Sequence, residues 1–74
     1  MAEIDWTLRT KNLLKGELKK RGVSYRELAE KLAAIGIQET ERNLANKISR
    51  GGFTGAFLIQ CLVAIGATSL RLED

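Results

Sequence analysis

Four helix-length runs of this chain each close on a glycine, at Gly22, Gly36, Gly51 and Gly66, and no proline interrupts any of them. Glycine just past the last periodic residue is the usual way a helix ends, because it takes up the left-handed backbone conformation without steric cost. The punctuation therefore divides the chain into short helices joined by turns. Only 5% of residues are aromatic, and Leu, Ala, Lys and Glu are abundant, a composition that favours helices over short strands. The expectation is a compact all-α domain of four helices, or five if the tail adds one. At 74 residues it is a single domain spanning 1–74 with a small core.

The first helix covers 6–21, with Leu14 and Leu18 four apart, Leu13 beside them, and Arg9, Lys11, Lys15, Lys19 and Lys20 on the other positions. Gly16 inside it marks either a close backbone contact or a tolerated defect. The second, about 24–35, opens on Ser24-Tyr25-Arg26-Glu27, the spacing of a capping box, with Val23 and Leu28 placed as a hydrophobic staple. Leu28, Ala29, Leu32 and Ile35 form its apolar face. Thr40 is the N-cap of a third helix that runs to Arg50 and is polar and basic. A fourth follows Thr54, with Phe53 and Leu58 as its staple, and is apolar almost all round, Gln60 being its one strongly polar residue. Leu70 and Leu72 alternate in a tail that is long enough for a short strand but does not require one. Leu28, Leu32, Leu44, Ile48, Leu58 and Leu62 are expected to share one core.

Whole classes of chemistry lack their parts. There is no histidine and a single cysteine, Cys61, so zinc sites, disulfide frameworks and His-based nucleophilic catalysis are not expected, nor is any cofactor. Cys61 reads as a small core residue, with a redox role the lesser reading. Gly51-Gly52-Phe53-Thr54-Gly55 opens a helix but lacks the Lys-Ser/Thr of a phosphate-binding loop. No run approaches a membrane span, and the N-terminus is acidic rather than basic, so a cytoplasmic protein is expected. Four of the nine acids, Glu3, Asp5, Glu73 and Asp74, lie at the ends; the 12 basic residues against the five remaining acids leave the body at +7. That balance attracts polyanions, nucleic acid foremost, although many basic domains are simply kept soluble by it.

The run Leu18-Lys19-Lys20-Arg21-Gly22-Val23-Ser24-Tyr25-Arg26-Glu27-Leu28-Ala29-Glu30-Lys31-Leu32 resembles the first two helices of the lambda-repressor-like helix-turn-helix family, of Cro and phage-repressor type. Ala45-Asn46-Lys47-Ile48-Ser49-Arg50-Gly51 resembles the end of that family's recognition helix, and the apolar fourth helix its closing one. The resemblance spans roughly 8–70. It also extends to small bacterial domains of unknown function. Three features depart from the pattern. Leu28 and Gly51 are 23 residues apart, several more than is usual there, which implies a longer second helix and a looser turn; Tyr25 replaces the usual Gln, and Ser49 the usual Glu.

The resemblance implies a non-enzymatic regulator that binds double-stranded DNA. The third helix can be read without it. At about 100° per residue, Leu44, Ala45 and Ile48 share a buried face, and the opposite one centres on Asn43, Asn46 and Arg50, flanked by Arg42 and Lys47. Asparagine pairs with adenine N6 and N7, and arginine with guanine O6 and N7 or with phosphate, so this face suits a major groove. The plainer alternative is a solvated polar face. Glu39 and Glu41 repel phosphate but favour the positive end of the helix dipole, the more natural role. Arg26 and Lys31 on the second helix are candidates for flanking phosphates, and the backbone at Thr54 for an anion site. The fourth helix needs cover on every side. Either the other three wrap it, or a second copy covers it through Ile59 and Val63, giving the homodimer expected of a protein that reads a two-fold site. The alternative function is a protein-interaction or dimerisation module that keeps the fold without DNA contact.

Overall fold

The computed structural model describes residues 3–72 and is all-α, with no strand among those residues. Its four helices are α1 (Trp6–Arg21), α2 (Tyr25–Ala34), α3 (Glu41–Arg50) and α4 (Gly55–Ala64). Each starts on a side chain that accepts the backbone N–H three residues on. Asp5 does so for Leu8, Ser24 for Glu27, Thr40 for Asn43 and Thr54 for Phe57. At α2 the box is reciprocal: Glu27 N–H donates to Ser24 Oγ at 3.1 Å, and Ser24 N–H donates to Glu27 Oε1 at 3.2 Å. These bonds satisfy donors that a helix start otherwise leaves orphaned.

The helix ends are equally well defined. Past α1, the N–H of Gly22 reaches Lys19 C=O at 3.1 Å and that of Val23 reaches Leu18 C=O at 2.9 Å, the paired closure of a Schellman motif. α2 and α4 end in the same pattern, through Ile37 N–H to Leu32 C=O and Ala67 N–H to Leu62 C=O, both 2.9 Å. Because Ile37 is drawn back onto Leu32, the helical register stops before Ile35. The expected apolar face of α2 accordingly loses Ile35, which is 45% exposed.

Each helix buries one pair spaced four residues apart: Leu14/Leu18, Leu28/Leu32, Leu44/Ile48 and Phe57/Cys61, joined by Leu62 and Ile65. Four such pairs meeting in one cluster make the core, and half-buried Leu58, Ile37, Phe53 and Leu70 pack around it. All six residues expected to share the core do so, Leu58 from its edge. α1 and α2 each pack against both α3 and α4. The tail 67–72 forms no strand; Leu70 rests on the core, and the Arg9 guanidinium donates to Leu72 C=O at 2.9 Å.

α2 is ten residues long, no longer than α3 or α4. The extra separation between Leu28 and Gly51 therefore lies in the connection, residues 35–40, and not in a lengthened second helix. Among the described residues, no helix is long and apolar enough to cross a membrane.

Candidate nucleic-acid interface

Leu44 and Ile48, both fully buried, fix the rotation of α3 about its own axis. With that face inward, Arg42, Asn43, Asn46 and Arg50 are exposed. No hydrogen bond or ion pair among the described residues engages any of these four side chains. Two amides and two guanidiniums thus stand on one solvent-facing strip with all their donors free. The helix beneath them is pinned at both ends: Thr40 Oγ1 accepts from Asn43 N–H at 3.0 Å, and Lys11 Nζ of α1 donates to Ser49 C=O at 3.2 Å. Lysine on the last carbonyls also complements the negative end of the helix dipole.

Lys47 is placed differently. Its ammonium pairs with the Glu39 carboxylate and lies 5.0 Å from the centroid of the Phe57 ring. The Glu39 side chain is only 12% exposed. This carboxylate neither faces outward with the strip nor serves the start of α3; its charge is spent on Lys47. Glu41 stands exposed in the first turn, as the dipole favours.

Arg26 and Lys31 are exposed on α2. They lie five residues apart, about 140° around the helix, so they do not form one strip with each other. Thr54 Oγ1 is occupied by Phe57 N–H at 3.0 Å, which leaves its hydroxyl as a cap; Lys47, Arg50, Gly52, Phe53 and Thr54 line a shallow open hollow beside it. The Phe53 and Phe57 rings meet beneath, tilted by 54° with centroids 5.3 Å apart.

Neither the Glu39–Lys47 pair nor the Lys11 contact is readable from local spacing, because each joins segments that are neighbours only once the chain has folded. Cys61 is fully buried. Burial first, and then the Glu39 charge, push its thiol up to about 11, so it stays protonated at neutral pH as a core residue would. No group of three or more His, Cys, Asp or Glu able to hold a metal ion occurs among the described residues.

The model of a family described as a domain of unknown function, DUF6471, matches residues 6–70. The chain belongs to this family. The matched stretch runs from the first residue of α1 to Leu70 of the tail, so it takes in all four helices and every buried residue of the core. No curated protein and no solved structure matches the chain.

Proposed function

We propose that this domain binds double-stranded DNA as a transcriptional regulator of lambda-repressor-like helix-turn-helix type, α2 and α3 forming the pair and α3 entering the major groove. One observation carries the reading. Arg42, Asn43, Asn46 and Arg50 share an exposed strip on which no intramolecular partner competes for their hydrogen bonds. A merely solvated face needs no such grouping of the two side-chain types that pair bidentately with purines. Arg26 and Lys31 supply further positive charge from α2. With about four phosphate contacts from each domain, anisotropy on a mixed-sequence duplex should fall with salt at a slope of roughly −3 to −4 per domain bound. No binding at 50 mM salt overturns the reading.

The domain acts as a homodimer through α4. This is the one helix of the four without a charged residue, and Ile59 and Val63, one turn apart, are each 58% exposed on it. The other helices do not cover that side, and water is a poor neighbour for it. Light scattering should report about 16 kDa, twice the 8.2 kDa chain. The same two residues favour a second function, a protein-interaction module without DNA contact, which becomes the better reading if duplex binding is absent.

A further inference from the structure

The ion pair at the flank of the α3 strip bears directly on how strongly that strip can hold a polyanion. Lys47 lies about 40° from Asn43 and about 60° from Arg50 around the helix, so its stem leaves α3 at the edge of the same face. A free lysine there reaches phosphate. This one is turned away. Side chains on a helix lean toward its N-terminus, and Lys47 leans back along roughly 9 Å of helix rise to meet Glu39 in the connection before α3. Its ammonium is held there by the carboxylate and by the Phe57 ring, 5.0 Å away and itself buried. Glu39 is the more enclosed partner, 12% exposed against 46% for Lys47, so the anchor of the pair is the acid and the movable member is the base. The nearest other acid on this element is Glu41, exposed and outside the pair.

We propose that Glu39 is a built-in competitor of DNA phosphate, an autoinhibitory contact that withholds Lys47 from the duplex and sets the affinity of the α3 face below what its cations would otherwise give. The proposal rests on the DNA-binding reading above. A carboxylate already seated against the ammonium loses no translational freedom in staying there, whereas a phosphate must displace it. The strip then meets DNA with Arg42 and Arg50 as its cations, and Lys47 remains a reserve. Modulation by one charge suits a regulator that must leave its site as well as find it, because each phosphate contact steepens the dependence on salt by about 0.9.

The test is anisotropy on one mixed-sequence duplex across a salt series, with circular dichroism to confirm the fold of every variant. For each domain bound, Glu39→Gln should bind about eightfold tighter than wild type at 0.1 M salt and steepen the salt slope by about 0.9, the effect of one added phosphate contact per domain. Lys47→Met keeps the stem over Phe57 but not the charge; alone it should leave slope and affinity within twofold of wild type, and in the double variant it should abolish the gain from Glu39→Gln. Glu41→Gln removes the same formal charge without freeing a lysine and should give much less than the eightfold change. The proposal is overturned if the gain survives in the double variant, if Glu41→Gln equals Glu39→Gln, or if Lys47→Met alone lowers the slope by about 0.9, which would show the pair open on DNA. It is also overturned if Glu39→Gln binds as wild type does. Absence of salt-dependent binding by the wild type itself is a separate result, and it removes the DNA reading together with this one.

Discussion

Gly51, the C-cap of α3, stands against Thr7 of α1 so closely that a Cβ at Gly51 would lie 2.9 Å from the Thr7 carbonyl oxygen and 3.0 Å from its Cγ2. The glycine is also in the left-handed conformation, at φ 74°, where its N–H closes α3 on Lys47 C=O at 3.2 Å. One residue thus ends the candidate recognition helix and lets the first turn of α1 dock onto that end. Lys11 Cβ, 3.1 Å from the same point, adds the next turn of α1 to the contact.

Gly51→Ala should therefore be far more damaging than an ordinary cap substitution. The left-handed conformation costs alanine about 1–2 kcal/mol, and forcing a methyl against a backbone carbonyl adds roughly 1–3 kcal/mol. A domain of this size holds only about 4–11 kcal/mol in all. Gly22→Ala is the internal control: Gly22 has φ 67° but nothing within 4 Å of its would-be Cβ, so it should lose only the conformational part. Urea denaturation that finds the two variants equally destabilised would remove the Thr7 contact from the account.

Gly16 behaves in the opposite way. It lies in the interior of α1, exposed, with nothing within 4 Å of a Cβ. Of the two readings of its sequence position, a close backbone contact is excluded and a tolerated defect remains. Gly16→Ala should raise stability by about 0.5–1 kcal/mol through helix propensity alone. A thermal melt no higher than that of wild type would show that α1 is frayed or bent at this point.

The helix boundaries were legible because both ends of a helix are written locally: an oxygen-bearing side chain three residues before a donor, and a glycine after the last turn. Ser24, Thr40 and Thr54 cap as their positions predict. Asp5 caps α1 on the same local signal, although as one of several terminal acids it reads more readily as solvated charge. The buried and exposed faces of α3 followed from the 3.6-residue period, since that helix alternates sharply between Leu44, Ile48 and polar positions. α4 offered no such contrast, and only the packing of Phe57, Cys61 and Leu62 shows that Ile59 and Val63 face outward. Periodicity also places Ile35 on the apolar face of α2, whereas it is the C-cap and exposed, because the backbone bonds that close the helix there leave no mark on hydrophobic spacing. The Glu39–Lys47 pair and the seat of Gly51 depend on how the connection 35–40 and α1 lie against α3, which is tertiary information.

Stability should report the capping box of α2 in two ways. Ser24→Ala removes the acceptor for Glu27 N–H and should cost about 1 kcal/mol by chemical denaturation at neutral pH. The hydrogen bond from Ser24 N–H, then that from Ser24 Oγ, hold the Glu27 carboxyl below the usual glutamate range. A carboxyl whose folded value is depressed stabilises the fold above its unfolded titration range and loses that contribution as pH falls through the folded value. The stability difference between wild type and Glu27→Gln should therefore be present at neutral pH and vanish in acid. If it persists unchanged below the glutamate range, the carboxylate is not the group that matters there.

The last expectation separates reading from holding on α3. Asn43 and Asn46 carry no charge and so release no counterion on the proposed interface; the role that reading gives them is pairing with base edges, where one amide can accept and donate at once. Arg42 and Arg50 can do either, pairing with the O6 and N7 acceptors of guanine or neutralising a phosphate, and each brings a full positive charge in both roles. Asn46→Ala should accordingly cost about 1–3 kcal/mol on a preferred duplex, lose discrimination at one base pair, and leave the salt slope unchanged. Arg42→Ala should weaken preferred and unrelated duplexes alike and reduce the slope by about one unit. Arg50, on the last turn beside the Lys11 contact to Ser49, falls with Asn46 if it meets guanine and with Arg42 if it meets phosphate. None of these side chains supports the core, so circular dichroism and thermal stability should match wild type in all of them. Variants that keep both the affinity and the slope of the wild type would make the strip an ordinary solvated face, and the exposed Ile59–Val63 surface of α4 would then be the place to look for the partner.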